Sequence, residues 1–301
     1  MKLKSNLLLL LAAAIWGLAF VAQRVGMDYV GPYTFNGVRF VLGSLSLLPL
    51  LFFYKPSSSQ AETTGQSYRL DARAGFLAGT VLFIAASLQQ IGLIYTTAGK
   101  AAFITCLYIV LVPILGIFIK QHIHPWTWGG SLFAVAGLYF LCVKENFSIS
   151  YGDILELIGA FFWAIHILLI DHFASKVNTL RLAFFQFATC AAFSLAVALW
   201  LETITISSLL QASTPILYGG ICSVGIAYTL QIVGQKNASP SHAAIILSLE
   251  TVFAAIGGYL LINEHLGLQE IIGSALMLTG MLLSQLQNLK PGQSESSKPA
   301  V

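Results

Sequence analysis

Glu250 is the residue of this sequence that most needs a chemical explanation. It stands nine residues into the apolar run Ser241–Ile262, about 13 Å along a helix that rises 1.5 Å per residue. An ionised carboxylate facing hydrocarbon at that depth costs on the order of 3 kcal/mol on insertion scales, so its side chain should face the protein interior. There it can exchange a proton or pair with a substrate ammonium; a structural hydrogen bond to a neighbouring helix would satisfy it as well. Tyr108, Trp16 and Trp163 also fall near the middle of apolar runs. Aromatic rings around one carboxylate suit a cationic or zwitterionic substrate with an apolar part, and ordinary aromatic packing is the alternative. His166 follows Trp163 by three residues, on the same helical face, as a proton relay or a packing residue. Gln89 and Gln231 are amides that read substrate near the two gates or bond helices together. Arg39 lies within a run near its outer end, where its long stem favours snorkelling to water over binding a substrate carboxylate.

Long apolar elements must hold these side chains. Of 301 residues, 57% are hydrophobic and 9% charged, with a mean hydropathy of +0.81. Soluble domains carry about 25% charge, so this chain cannot solvate a water-facing surface and its outside must meet lipid. A helix needs about 20 apolar residues to cross the hydrocarbon layer. Ten runs qualify: Leu7–Arg24, Tyr33–Tyr54, Arg73–Tyr95, Gly99–Ile119, Trp126–Val143, Gly152–Phe173, Leu180–Leu201, Thr214–Gln235, Ser241–Ile262 and Leu268–Gln287. The breaks are chemically apt. Lys55–Asp71 is rich in Ser, Thr and Gln, while Thr214-Pro215 and Ser239-Pro240 read as helix starts. The first run lacks a small-residue cleavage site and reads as a retained helix.

Positive charge sets the orientation. With the N-terminus cytoplasmic, eleven Lys and Arg fall inside and three (Arg24, Lys100, Lys144) outside, with Arg39 in a span. This bias places both termini in the cytoplasm. The four cysteines, Cys106, Cys142, Cys190 and Cys222, form no CxxC pair and read as soft packing residues. His122 and His124 form an HxH with no supporting cluster, so no metal site is expected. The Gly129-Gly130 and Gly257-Gly258 pairs suit close helix packing rather than phosphate loops. No Walker A sequence is present, and a charge of +3 gives no reason to expect nucleic acid.

The second half of the chain repeats the first. At an offset of 142 residues, Leu88, Gln89 and Gly92 match Leu230, Gln231 and Gly234, and Ala101, Ala102 and Ile104 match Ala243, Ala244 and Ile246. Gly130, Ser131 and Gly137 match Gly273, Ser274 and Gly280 at 143, while Ala13 and Trp16 match Ala160 and Trp163 at 147. The same offsets pair Tyr108 with Glu250 and Arg39 with Gln186. Five spans per repeat is odd, so the copies enter the membrane in opposite senses, a recurring architecture of secondary transporters. Trp16, Tyr108, Trp163 and Glu250 should then converge near the pseudo-two-fold axis.

The stretch SLETVFAAIGGYLLINEHLGLQEIIGSALMLTGMLL resembles the last two spans of the EamA branch of the drug/metabolite transporter superfamily. YGDILELIGAFFWAIHILL is similar to the opening of that family's second repeat, and TTAGKAAFITCLYIVLVPILG to its fourth span. Many members have Pro after the Glu of the ninth span, where this chain has Thr251, so the resemblance does not carry a proline kink to that point. Pro113 should still kink the fourth span. The resemblance implies transport of a small metabolite or drug without ATP, often export, most commonly across a bacterial inner membrane.

The expectation is an all-α integral membrane protein of ten transmembrane helices in two inverted five-helix repeats. They span residues 1–146 and 147–288, before a disordered cytoplasmic tail over 289–301. It should be a carrier, monomeric or homodimeric, that uses no cofactor and exports a small polar metabolite such as an amino acid by alternating access. Trp16, Gln89, Tyr108, Trp163, His166, Gln231 and Glu250 would bind substrate, and Glu250 would couple transport to a gradient, with protons the candidate. A multidrug cation exporter is the first alternative. A membrane enzyme or scaffold is the second, but its sole neighbouring pair, Asp171-His172, is explained by solvation at a helix end.

Overall fold

A computed structural model describes residues 2–53, 65–96, 98–121, 123–142, 150–262 and 267–285, and among these every regular element is helical. His122 of the HxH pair and the tail from 286 onward lie outside the described residues. The long helices are α1 (Lys2–Gly26), α2 (Pro32–Phe53), α3 (Gly65–Tyr95), α6 (Pro125–Cys142), α7 (Tyr151–Ala174), α8 (Thr179–Leu201) and α14 (Leu268–Gln285). Two further apolar segments are interrupted: α4 (Ala98–Thr105) with α5 (Tyr108–Phe118), and α12 (Pro240–Leu247) with α13 (Glu250–Ile262). Another is composite, running through α10 (Ser213–Leu217), an 11-residue π-helix (Tyr218–Tyr228) and α11 (Thr229–Gln235), with the short α9 (Ile206–Gln211) before it. Among the described residues eight segments are long and apolar enough to cross a bilayer; α6 and α14, 18 residues each, are less apolar or shorter in their apolar part.

The distribution of side chains is inverted relative to a soluble protein. Phe118, Leu132, Leu199, Trp200, Leu260 and Leu268 lie exposed, while Asn36, Glu156, His166, Gln186 and Gln90 are fully buried. Apolar atoms outside and bonded polar groups inside are what a lipid solvent selects, because hydrocarbon leaves polar groups unsatisfied.

Glycines set the closest helix contacts. α6 and α14 run antiparallel along each other, Gly130 against Gly280 and Gly137 against Gly273. A Cβ on Gly130 would stand 2.6 Å from the Gly280 carbonyl oxygen, and one on Gly137 2.5 Å from that of Gly273. Such contacts between bare backbones are the usual adhesive where lipid removes the hydrophobic drive between helices.

Two carboxylates tie α2 and α8 to their neighbours, one at each end of the bundle. Glu202, just past α8, accepts from the first free amides of α2, Tyr33 N at 2.9 Å and Thr34 N at 2.7 Å. At the other end Asp71 of α3 accepts from Asn178 N at 3.1 Å and from Arg181 Nη1 at 3.2 Å, at the start of α8. Asn178 also caps α8 with its own side chain, and Ser150 with Asp153 forms a capping box on α7. Helix N-termini carry unpaired amides and a positive dipole end, which is why acids gather there.

The fourth and ninth spans are not continuous helices. The fourth and ninth apolar runs are each interrupted by two residues, Cys106-Leu107 and Ser248-Leu249, in tighter turns closed by Ile109 N to Cys106 O (3.0 Å) and Thr251 N to Ser248 O (3.2 Å). The second interruption forms without the proline that Thr251 replaces: the Thr251 hydroxyl donates to Ser248 O at 2.9 Å, a local bond that competes with regular helix. Pro113 lies inside α5. The Ile109 carbonyl, which a proline four residues later leaves without its helical donor, accepts from Ser131 Oγ at 3.4 Å.

Candidate functional site

The interruptions bring chemistry to the centre of the bundle. α5 begins at Tyr108 and α13 at Glu250, and the Tyr108 hydroxyl donates to Glu250 Oε1 at 3.1 Å. The Cys106 thiol, from the first interruption, lies 3.3 Å from the same oxygen and 3.7 Å from Ser248 O in the second. Two positions 142 residues apart in sequence therefore touch. Glu250 opens the first turn of α13, where a helix dipole favours negative charge. Gly17 lets α1 approach, since a Cβ there would meet Glu250 O at 2.6 Å.

Glu250 faces a polar cavity in the middle of the bundle. Its walls include Trp16, Gln89, Tyr108, Trp163, Gln231 and Glu250, so six of the seven residues singled out from sequence meet there. Trp16 donates its indole N–H to Ser223 O at 3.2 Å, and Trp163 donates to Gln89 Oε1 at 2.9 Å. Gln89 in turn donates to Gln23 Oε1 at 3.2 Å. These bonds fix the orientation of both indoles. Gln231 is buried with its carbonyl oxygen lacking a hydrogen-bond partner, which suits a group awaiting a donor.

His166 does not line the cavity. It is fully buried behind Trp163, with Nε2 3.1 Å from Gln186 Oε1 and its ring edge-on to Trp163 and Tyr228. Three residues on one helical face put the two side chains in contact, but the indole is the one that reaches the cavity.

Arg39 does not snorkel. It is 2% exposed, its guanidinium carbon 5.4 Å from the Phe35 ring and 5.1 Å from the Phe40 ring, and it lines the same cavity as Glu250. Its Nε has no hydrogen-bond partner. Stacking on aromatic faces holds the guanidinium inside, with no acid paired to it among the described residues. A cation, a carboxyl, two indoles and several amides thus share one enclosure.

Tyr228 is the wall residue that repeat matching missed. Its ring is 4.6 Å from Trp16, stacks on Trp163 at 6.2 Å, and packs on Phe40 and Phe187. The repeat offset pairs it with Ala86, so symmetry gave no signal. It ends the π-helical segment; such segments frequently lie at functional sites. Gln23, Thr105 and Ser223 are further polar wall residues, each a small polar interruption of an apolar run.

The model of the EamA-like transporter family matches the chain twice, over residues 3–143 and 150–286. An uncharacterized transporter of Archaeoglobus fulgidus is 32% identical over 291 residues, covering 95% of this chain and 87% of its own. The uncharacterized transporter YoaV of Bacillus subtilis is 21% identical over 276 residues, covering 90% of this chain and 92% of its own. A solved crystal structure, 18% identical, superposes with a TM-score of 0.76 over 96% of this chain and the whole of that one, which shows a shared fold. A family match over nearly the whole length, relatives aligned end to end and a bundle of lipid-facing apolar helices around a buried polar cavity make this chain a membrane transporter of the EamA-like transporter family.

Proposed function

We propose that this protein is a secondary-active exporter of a small zwitterionic metabolite such as an amino acid, with Glu250 as the site at which substrate and proton compete. The observation that carries the reading is the Tyr108–Glu250 hydrogen bond in a cavity that also holds Arg39. Arg39 supplies a partner for a carboxylate and Glu250 one for an ammonium. Trp16, Trp163 and Tyr228 supply apolar walls, and Gln89 and Gln231 flank them along the bundle. His166 acts through Trp163 by packing.

The ten-span, two-repeat reading supports alternating access. The family model matches twice, the interruptions at Cys106 and Ser248 recur at the repeat offset, and the Gly130–Gly280 and Gly137–Gly273 contacts are those an inverted pair would make. The halves are residues 1–146 and 147–288, with both termini cytoplasmic on the charge bias. Rocking of one half against the other would then expose the cavity to each side in turn.

Competition fixes the sign of the pH effect. The carboxylate form of Glu250 pairs with the substrate ammonium, and the protonated form cannot. Apparent Kd for an amino-acid substrate should rise as pH falls, and proteoliposomes should show flux driven by an imposed pH gradient. Glu250→Gln should retain binding that no longer varies with pH and lose gradient-driven flux. Wild-type flux with wild-type pH dependence in that variant would end the proposal. The aromatic walls and Glu250 also suit a bulky cation, the multidrug reading, but buried Arg39 in the same enclosure opposes it. Thermal stabilisation against a panel of amino acids and cationic drugs separates the two, since a ligand at a hundredfold excess over its Kd adds about 2.7 kcal/mol.

A further inference from the structure

A second carboxyl is buried in the bundle, and neither the family match nor the proposed coupling site uses it. Glu156 of α7 is 0% exposed. Its Oε2 accepts from the Thr105 hydroxyl at 3.0 Å, and its Oε1 has no hydrogen-bond partner. The carboxyl occupies the space left by Gly92 of α3, where a Cβ would stand 2.6 Å from Oε1.

The other half of the chain shows what this niche requires for packing alone. At the repeat offsets Gly92 corresponds to Gly234, Glu156 to Leu9 and Thr105 to Leu247. Leu9 does sit on Gly234, 2.9 Å from a Cβ placed there. The same glycine-backed pocket is therefore filled by a leucine at one end of the bundle and by a carboxyl at the other. Packing accounts for the leucine and leaves the acid unexplained. An ionisable group buried inside a membrane protein is by default a candidate for a pathway or site.

The surroundings of Glu156 form a polar track. Asp153, one turn nearer the start of α7, is buried and accepts from the Thr96 hydroxyl at 2.7 Å and from Ser150 N at 2.6 Å. Ser150 and Thr96 are only half buried, and Tyr151 beside them is exposed. On the other side, Thr105 lines the central cavity and precedes Cys106, whose thiol reaches Glu250. The groups around Glu156 are thus Asp153 on its own helix, Gly92 on α3 and Thr105 on α4, the helix that also carries Lys100, with Thr96, just past α3, on Asp153.

We propose that Glu156 is a second proton-binding site, lying between the outer face and the central cavity and loading the proton that Glu250 later takes up. The outer assignment and the role of Glu250 rest on the function proposed above; proton binding at Glu156 does not. A proton from outside water adds to the Glu156 carboxylate. It leaves through Thr105, whose oxygen accepts it while the Thr105 hydroxyl proton passes to an acceptor in the cavity, so one proton moves and Thr105 is regenerated. At the opposite end the equivalent positions, Leu9 and Leu247, carry no group that binds a proton, and the polar cluster there is His242 with Asn6 and Ser284.

The test is pH-difference infrared spectroscopy of the full-length protein in lipid, read in the carboxyl C=O region, with Glu156→Leu, Glu156→Gln and Glu250→Gln beside wild type. Leu9 in the equivalent niche indicates that Glu156→Leu folds, and its thermal midpoint should stay close to wild type. Both Glu156 variants should lose one C=O band that wild type gains on acidification, and Glu250→Gln should lose a different one. A spectrum unchanged by Glu156→Gln or Glu156→Leu overturns the proposal. Loss of the Glu156 band with no band assignable to Glu250 would instead leave this site standing and remove the coupling role of Glu250. Should Glu156→Leu not fold, Glu156→Gln gives the same reading, because an amide cannot titrate.

Discussion

Arg39 and Glu250 divide the labour expected of a site that holds a zwitterion, and each can be tested by the half of the ligand it addresses. A charge-assisted hydrogen bond to a buried group is worth about 1.5–3 kcal/mol, so Arg39→Gln should weaken amino-acid binding by about 10- to 100-fold. The matching amine, which lacks the carboxylate, should bind wild type and variant alike. Isothermal titration with both ligands checks this, and equal losses for the two would show that Arg39 only supports the cavity wall. Tyr108→Phe removes the hydroxyl that donates to Glu250 across the interrupted helices. It should reduce gradient-driven flux while leaving thermal stability close to wild type, because the ring still packs in the same cluster.

At the scale of elements, function depends on helices that cannot be made regular or moved apart. A Leu at Gly137 would force its side chain into the Gly273 carbonyl and Met277. Overpacking of this kind costs about 1–3 kcal/mol, so Gly137→Leu should lower the thermal midpoint in detergent by several degrees, whereas a Leu at Gly129, with nothing within 4 Å of its Cβ position, should not. The latches at the two ends are also unequal in chemistry. Asp71 is buried and holds both an amide and the guanidinium of Arg181, while Glu202 holds two amides of α2. Asp71→Asn should destabilise by about 1–3 kcal/mol, as for a charge-assisted bond reduced to a neutral one. High salt should recover little of that difference, since buried pairs are weakly screened; denaturation in detergent at two salt concentrations measures both.

For the whole molecule, the asymmetry between halves matters as much as their likeness. Paired glycines, paired interruptions and paired indoles are the features on which the proposed opening to either side rests. Glu250 opposite Tyr108, Arg39 opposite Gln186 and Glu156 opposite Leu9 break that plan at three places, each with a charged residue type buried in the bundle. A carrier with this arrangement should move substrate in proteoliposomes without ATP, and a protonophore should abolish accumulation. Accumulation that persists with the protonophore present and no other ion gradient would contradict proton coupling.

Composition alone determined that the chain lives in lipid, because 9% charge cannot cover a water-facing surface. Hydrophobic run lengths located nearly every long helix to within a few residues, and the repeat offset brought Tyr108 and Glu250 together on paper before any contact was visible. These are one-dimensional signals: length, period and spacing survive in the order of residues. Other features were decided only by tertiary structure. Arg39 could be read as snorkelling until Phe35 and Phe40 were seen to hold it inside, since the lipid or protein side of a helix depends on its neighbours. The interruption before Glu250 arises from Ser248 and Thr251 bonding locally, without the proline that would have announced it. Tyr228, and the carboxyl of Glu156 against Gly92, gave no repeat signal, because symmetry reports where the halves agree. Only the packed bundle shows which unmatched side chains face the cavity and which, like His166, stand behind its wall.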